Sequence, residues 1–281
     1  MIVFERVAEM RDWVTLQQGQ GRVVSFVPTM GALHLGHISL INRAKSESDA
    51  VVSSVFVNPT QFNNAEDLQK YPRTLDRDVE MLTAAGCDVL FCPTVEEMYP
   101  HGLDAPPVDY GYLTTRYEAA HRPGHFDGVV AIVRKLFLAV PANRAYFGEK
   151  DLQQLRVIET LVQREQIGIQ IIPCPTVREA SGLAMSSRNQ RLSKEGRERA
   201  SGIYKALQNV EFGAGELMMA ESIVKAARMI LDEKIQLEYL SVIDVADFAE
   251  LNKVDRESVA VIFAGWIEGV RLIDNIRIGV G

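Results

Sequence analysis

The chain has 281 residues, a length that favours two domains over one. Of these residues 47% are apolar and 24% charged, as in an ordinary globular protein. Its formal net charge of −7 argues against a nucleic-acid-binding protein, and no apolar run approaches the roughly 20 residues that span a bilayer. The charged N-terminal stretch lacks the apolar centre of a signal peptide. Three cysteines without a CxxC pair favour a reducing compartment and no zinc, so we expect a soluble cytoplasmic enzyme or binding protein.

Strand-like and helix-like segments alternate along the first 172 residues. Helical patterns occupy 5–18, 34 to about 46, 74–85, 129–140 and 152–164, and strand-like apolar runs occupy 23–27, 50–57, 88–92, 144–147 and 169–172. The segments 58–63, 93–109 and 121–128 are predicted loops. This alternation predicts an α/β fold, a Rossmann-like doubly wound parallel sheet, with ligands at the carboxyl ends of its strands.

The pattern changes after about residue 175. Two helical patterns (about 194–210 and 216–233) precede three strand-like runs (236–245, 257–265 and 270–277). They predict a smaller C-terminal α+β domain. We therefore divide the chain into domains of residues 1–176 and 177–281.

The stretch Pro28–His37, PTMGALHLGH, links the first buried strand to an amphipathic helix. Gly31 and Gly36 would let a ligand approach the backbone closely. The free N–H groups of a helix start favour phosphate oxygens. Because His34 and His37 are three residues apart, both imidazoles face nearly one side. We predict that this turn binds a nucleoside triphosphate and that the imidazoles donate hydrogen bonds to the reacting phosphate.

A zinc site or a simple helix cap would also place histidines here. A zinc site needs further ligands, but the HExxH spacing is absent and no cysteine is near. Capping accounts for one polar residue, not for two histidines together with two glycines. The phosphate interpretation is therefore favoured.

The segment GEKD, residues 148–151, has two interpretations. Asp151 and Gln154 form a capping-box pattern, which would leave Lys150 as a solvated turn residue. Alternatively, Lys150 lies at a strand end and supplies a point charge to phosphates. The local sequence leaves both open.

Two other polar segments are weak signals by themselves. MSSRN, residues 185–189, is most simply a solvated linker, although Arg188 could pair with phosphate while Ser186 and Ser187 offer hydroxyl donors. Gln61, in the NPTQF loop, suits a substrate that carries hydroxyl or carboxylate groups, but loop glutamines are usually only solvated. These segments gain meaning only in combination.

Seven segments match one family in order and spacing over nearly the whole chain. They are VPTMGALHLGH (27–37), FVNPTQF (56–62), YPRT (71–74), RPGHF (122–126), FGEKD (147–151), MSSRN (185–189) and RLIDN (271–275). Together they resemble the pantothenate synthetase, or pantoate–β-alanine ligase, family. HLGH alone would indicate only the wider nucleotidyltransferase superfamily with its HxGH turn, whereas NPTQF, RPGHF and GEKD in this order are far more specific.

The resemblance implies a two-step reaction. ATP and pantoate give pantoyl adenylate and pyrophosphate, and the amine of β-alanine then displaces AMP to give pantothenate. The resemblance also implies Mg²⁺ with ATP, a homodimer, and a C-terminal lid that keeps water from the adenylate. No nucleic acid or membrane partner is expected.

The resemblance further implies roles for individual residues. The catalytic set around the triphosphate would be His34, His37, Lys150, Ser187 and Arg188, with His37 as proton donor. ATP would also contact Met30, Gly31, Ala32, Leu33, Leu35, Gly36, Gly148, Glu149, Asp151, Val177, Met185 and Ser186. Pantoate and β-alanine would be bound by Gln61 and Gln154, with Met30, Val129 and Val133 against the gem-dimethyl group of pantoate.

The chain departs from the family pattern at three positions. Ser181 stands where the family often has Asp before Gly182, and Ala119 stands where glycine is frequent before RPGHF. Arg77 replaces an acidic residue that some members carry near the magnesium ion. We therefore predict the neighbouring Asp78 as the Mg²⁺ ligand.

Two other functions would use the same fold. A nucleotidyltransferase that acts on a phosphorylated acceptor would not need Gln61 and Gln154 at an apolar pocket. A nucleotide-binding regulatory protein would not need both histidines together with Lys150 and Arg188. The ligase is therefore the favoured function.

Overall fold

The structure, a computed structural model, describes residues 1–63, 65–209, 218–254 and 257–278. The chain forms two compact units. The first unit comprises Met1–Tyr110, Thr114–Glu149 and Val157–Pro175, and the second comprises Gly111–Leu113, Lys150–Arg156 and Thr176–Gly281. Lys150–Arg156 thus belongs to the second unit although segments of the first flank it in sequence.

The first unit contains six strands and most of the helices. The strands are β1 (Ile2–Phe4), β2 (Val24–Thr29), β3 (Ala50–Val55), β4 (Val89–Phe91), β5 (Arg144–Gly148) and β6 (Gln170–Cys174). The helices are α1 (Val7–Gly19), α2 (Leu35–Glu47), α3 (Ala65–Lys70), α4 (Leu75–Ala84), α5 (Val95–Met98), α6 (Glu118–His121), α7 (His125–Ala139) and α8 (Leu152–Arg164), the last of which begins in the second unit. A short 3-10 turn occupies Pro59–Gln61 in the first unit, and two more, Gly111–Thr114 and Glu149–Asp151, include residues of both units.

The six strands form one parallel sheet in the order β1-β4-β3-β2-β5-β6. From β2 the chain proceeds to one side through β3 and β4, whereas β5 and β6 lie on the other side. The topological switch point therefore falls between β2 and β5, where ligands of such sheets bind beyond the carboxyl ends of the strands. β2 leads directly into Met30–His37, and β5 ends at Gly148.

Apolar side chains on the strands and on α2 form the core at this position. Val27, Val51 and Leu90 pack with Leu40 and Ile41 of α2. β2 and β3 are buried along most of their length, because both faces of a parallel sheet are covered. This packing fixes the start of α2 next to the end of β2.

The second unit is smaller and mostly antiparallel. It contains the 3-10 turn Ser187–Arg191, α9 (Lys194–Gln208), β7 (Met218–Met219), α10 (Ala220–Arg228), β8 (Gln236–Asp244), β9 (Lys253–Val254), β10 (Val259–Ile267) and β11 (Val270–Ile278). The three long strands pair antiparallel in the order β11-β10-β8, and β7 pairs with β9. Apolar residues of α9, α10 and the three-stranded sheet share one core.

The predicted Rossmann-like α/β sheet and the smaller C-terminal α+β part are confirmed, but several details were wrong. The three-residue edge strand β1 was missed because it is too short to show a period. α5 and α6 lie in or next to segments predicted as loops, and α7 begins at His125 rather than 129. Residues 210, 216 and 217 of the two predicted C-terminal helices lie outside the described residues.

Two leucines of predicted helices are exposed, and one predicted loop is partly helical. Leu16 in α1 is 58% exposed, and Leu75, the first residue of α4, is 47% exposed. Pro59 begins a 3-10 turn within the predicted loop 58–63, since proline is compatible with the first helical position. None of the described helices is both long and apolar enough to cross a membrane.

Candidate active site

The turn between β2 and α2 has an unusual backbone that buried contacts hold in place. Gly31 and Ala32 both have positive φ, at 80° and 50°, a region that costs a non-glycine residue energy. The Thr29 hydroxyl accepts from the N–H of Gly31 at 3.1 Å and donates to the carbonyl of Ser54 at 2.6 Å. A Cβ on Gly31 would lie 3.0 Å from both Asp78 and Val55, so glycine is needed here.

The carboxylate of Asp78, a residue of α4, stabilises the backbone of this turn. It is 1% exposed. Its Oδ2 accepts from the N–H of Ala32 at 2.9 Å, and its Oδ1 accepts from the N–H of Leu33 at 2.8 Å and from the hydroxyl of Thr74 at 3.3 Å. A charged acceptor for two adjacent backbone donors stabilises a strained turn.

These contacts correct the prediction that Asp78 is a Mg²⁺ ligand. Both carboxylate oxygens are buried and already accept protein donors, whereas Mg²⁺ requires accessible oxygens and keeps several waters. Over the part of the chain that the structure describes, no group of three or more His, Cys, Asp or Glu side chains could hold a metal ion. The protein side chains at this position therefore do not fit a resident Mg²⁺ ion.

His34 and His37 lie together at the start of α2, with ring centroids 3.9 Å apart. His34 is the N-cap, and its Nδ1 accepts from the N–H of Gly36 at 3.2 Å, while Nδ1 of His37 accepts from the N–H of His34 at 3.3 Å. Because Nδ1 accepts in both rings, the neutral imidazoles carry their proton on Nε2. Each ring can therefore offer an Nε2–H donor next to the helix N-terminus.

Gln61 has its side-chain orientation set by Asn58. Asn58 is 1% exposed, and its amide nitrogen donates to the carbonyl of Gly128 at 3.1 Å and to Oε1 of Gln61 at 3.2 Å. A backbone carbonyl can only accept, so the position of Gly128 fixes which way the Asn58 amide points. Oε1 of Gln61 must face that amide, and Nε2 of Gln61 lies 2.9 Å from the sulfur of Met30.

The hydroxyl of Tyr99 completes this network. It donates to Oδ1 of Asn58 at 2.7 Å, and the Thr60 hydroxyl donates to the same atom at 3.1 Å. Burial raises the pKa of Tyr99, which keeps the hydroxyl protonated as the donor. Gln61 is thus held with its side-chain N–H groups turned toward Met30.

The backbone of Gln61 is fixed by α7. Nδ1 of His125 lies 2.9 Å from the carbonyl of Gln61. Gly128 faces the 3-10 turn so closely that a Cβ there would lie 2.3 Å from the carbonyl oxygen of Thr60. Val129 and Val133, four residues apart on the same helix, are buried. The first unit thus brings Gln61 and Met30 into contact and places two predicted valines on the helix that holds Gln61.

In the second unit, Lys150 lies in the 3-10 turn that precedes α8. Its carbonyl accepts from the side-chain amide of Asn275 at 3.0 Å, and its ammonium lies 3.8 Å from Oδ2 of Asp151. The preceding Gly148 and Glu149 belong to the first unit. Gln154 is half-buried in the first turn of α8, next to Gln153, whose amide donates to the carbonyl of Leu113 at 3.0 Å.

The segment 177–191 folds as a short hairpin followed by a 3-10 turn. The N–H of Met185 donates to the carbonyl of Val177 at 3.0 Å, and Arg178 and Ala184 form a bridge. Ser186 caps the 3-10 turn by accepting from the N–H of Arg188 at 3.3 Å. Five predicted ATP contacts, Val177, Met185, Ser186, Ser187 and Arg188, are therefore brought together in one local structure.

A profile described as Pantoate-beta-alanine ligase matches residues 2–277 of the chain. The chain belongs to the pantoate–β-alanine ligase family. Pantothenate synthetase of Cytophaga hutchinsonii is 44% identical over an alignment of 282 positions, which covers 99% of this chain and 99% of that protein. The recognised family is thus confirmed.

Solved structures of this ligase family are similar as well. The crystal structure of pantothenate synthetase from Thermus thermophilus is 42% identical, with a TM-score of 0.91 over 99% of both chains. The pantoate–β-alanine ligase from Francisella tularensis, complexed with beta-gamma ATP and beta-alanine, is 37% identical, with a TM-score of 0.80 over 99% of this chain and 97% of that chain.

Four residues that support Gln61 were not identified from the sequence. Asn58, Tyr99, His125 and Gly128 all lie in segments predicted as loops, at 58–63, 93–109 and 121–128. No local signal marked them, because the close packing of Gly128 and the burial of Asn58 are properties of the folded structure. The contacts between the segments required the folded structure.

Proposed function

We propose that the chain catalyses the ATP-dependent condensation of pantoate with β-alanine through a pantoyl adenylate, with release of AMP and pyrophosphate. The observation that carries the proposal is the family match over residues 2–277. It is supported by the N–H donor of Gln61, which contacts the sulfur of Met30. A triphosphate-binding turn alone would fit many nucleotidyltransferases. The donor beside an apolar side chain is what an acid with hydroxyl and gem-dimethyl groups requires.

In the first step the pantoate carboxylate attacks the α-phosphorus of ATP in line, and pyrophosphate leaves. Nε2–H of His34 and His37 would donate to the phosphate oxygens as charge develops there, an effect that contributes strongly to catalysis. His37 is our candidate for the proton donor to the leaving group. From the second unit, Lys150, Ser187 and Arg188 are assigned to the same phosphates by charge and hydrogen bonding.

In the second step the neutral amine of β-alanine attacks the acyl carbon of the adenylate. The C–N bond forms, the bond between the acyl carbon and the AMP oxygen breaks, and the amine loses a proton. Gln61 and Gln154 would hold the pantoyl oxygens, with Met30, Val129 and Val133 around the methyl groups. We assign the C-terminal unit the role of excluding water, because the adenylate would otherwise hydrolyse.

Magnesium is retained in the proposal only as the ion that accompanies ATP. The side chain predicted to hold it, Asp78, is occupied by backbone donors, so no step is assigned to the ion. A homodimer remains part of the proposal, supported by the family resemblance. A cytoplasmic location also remains part of it, supported by the cysteine usage.

The direct test is product analysis with purified protein. ATP, pantoate and β-alanine should yield pantothenate, AMP and pyrophosphate in equal amounts, and omission of any substrate should abolish pantothenate. A matched reaction offers 4′-phosphorylated pantetheine as an acceptor for AMP. Adenylylation of that acceptor without pantothenate formation would contradict the ligase and support the nucleotidyltransferase.

A further inference from the structure

The RLIDN segment, residues 271–275, has no role in the proposed function, yet two of its polar residues are buried. Asp274 and Asn275 lie next to each other on β11 and are 5% and 8% exposed. Successive side chains of a strand point to opposite faces of the sheet. The two residues can therefore reach two different segments of the second unit.

Asn275 reaches the turn that carries Lys150. Its side-chain nitrogen donates to the carbonyl of Lys150 at 3.0 Å. Since that carbonyl can only accept, the orientation of the Asn275 amide is determined. The contact fixes the backbone from which the Lys150 side chain begins.

Asp274 reaches the hairpin on the other side. Its two oxygens accept from the guanidinium of Arg178 at 2.6 and 2.9 Å, and Oδ1 also accepts from the N–H of Asn275 at 2.8 Å. Arg178 stacks on the ring of Tyr204 at 3.6 Å and donates to the carbonyl of Gly182 at 3.2 Å. A buried bidentate pair of this kind gives geometric precision.

We propose that Asn275 is a positioning residue for the nucleotide, which holds Lys150 at its backbone, and that Asp274 holds the Val177–Met185 hairpin through Arg178. One strand thereby fixes two of the segments assigned to ATP. The inference rests on the proposed function, because it requires Lys150 to act on the triphosphate. It adds two residues for which the ligase reaction itself assigns no contact with substrate.

The test uses two variants, Asn275→Ala and the isosteric Asn275→Asp. The control is Asn252→Asp, at an exposed position of the same unit, which introduces the same negative charge as Asn275→Asp. In both Asn275 variants, pantoate-dependent exchange of pyrophosphate into ATP should fall at least about 10-fold, a loss of about 1.4 kcal/mol of transition-state stabilisation. Attack of β-alanine on supplied pantoyl adenylate should stay within about 2-fold, because the triphosphate has then been cleaved. A merely structural role would reduce both steps together and would overturn the proposal.

A double-mutant cycle with Lys150→Ala shows through which group Asn275 acts. If Asn275 acts through Lys150, adding Asn275→Ala to Lys150→Ala should cost little more, whereas independent sites would give additive losses and contradict the proposal. If Asn275→Ala does not fold, Asn275→Asp alone decides the matter.

Failure of the proposed function would be visible separately. A wild-type protein without exchange activity would contradict the ligase, while binding of a non-hydrolysable ATP analogue, measured by calorimetry, would still test the positioning role. Equal affinity of wild type and the Asn275 variants for the analogue would then overturn the inference.

Discussion

The carboxylate of Asp78 accepts a 2.8 Å hydrogen bond from the backbone N–H of Leu33, 45 residues earlier in the chain. With the second bond, to the N–H of Ala32, it holds the two residues that precede His34. The position of the histidine pair thus depends on a buried charge in α4, a helix that contributes no other residue to the proposed site.

Replacing Asp78 with asparagine should loosen this turn. In Asp78→Asn an amide group replaces one acceptor, so a buried N–H loses its partner and the free energy of unfolding should fall by about 1–3 kcal/mol. Denaturant unfolding measures the change, and Asp76→Asn, on the exposed side of the same helix, is the control. If Asp78 were a metal ligand, Asp78→Asn would instead raise the Mg²⁺ concentration needed for activity and leave the free energy of unfolding unchanged. That result would contradict our interpretation.

Loss of the His37 imidazole should affect the chemical step. His37→Ala removes one Nε2–H donor, and loss of a single donor of this kind typically costs about 10²–10³ in kcat. Single-turnover formation of the adenylate measures the effect, with the exposed His101→Ala as control. Wild-type adenylate formation in the His37 variant would remove His37 from the catalytic set.

The polarity of Gln61 should determine recognition of pantoate. Gln61→Glu keeps an acceptor for Asn58 but places a carboxylate oxygen where the N–H groups were, so it should repel an anionic substrate. We expect the KM for pantoate to rise at least about 10-fold, equivalent to about 1.4 kcal/mol, while the KM for ATP changes by less than about 2-fold. An equal rise in both constants would mean that Gln61 is only structural.

Gly128 should tolerate no side chain. In Gly128→Ala the new Cβ would lie 2.3 Å from the Thr60 carbonyl oxygen and 2.7 Å from Cα of Gln61, which should cost about 1–3 kcal/mol or more. Gly202→Ala is the matched control, because it lies in α9 with no atom within 4 Å of its Cβ and should gain about 0.5–1 kcal/mol from helix propensity. If the two variants unfold at the same denaturant concentration, the packing argument is wrong.

Local sequence patterns were sufficient for most of the fold. The strands around Val27 and Val51 are apolar runs of buried-strand length, and α8 shows a clear helical period, so both types of element could be predicted. The strand β1 could not, because three residues carry no period and pair with β4, nearly 90 positions away.

The contacts at the candidate site divide in the same way. The proximity of His34 and His37 could be predicted because both residues belong to one local turn. The roles of Asn58 and Asp78 depend on hydrogen bonds to Gly128 and Leu33, over separations of 70 and 45 residues. No spacing rule reveals such pairs, and the family resemblance points to Asp78 only as a Mg²⁺ ligand.

Activation of pantoate by adenylylation is the step that defines the proposed reaction, and isotope exchange of pyrophosphate into ATP measures this step alone. We predict exchange that requires pantoate, proceeds without β-alanine and is lost in His37→Ala. Exchange that proceeds without pantoate, or that depends instead on a phosphorylated acceptor, would contradict the adenylylation of pantoate.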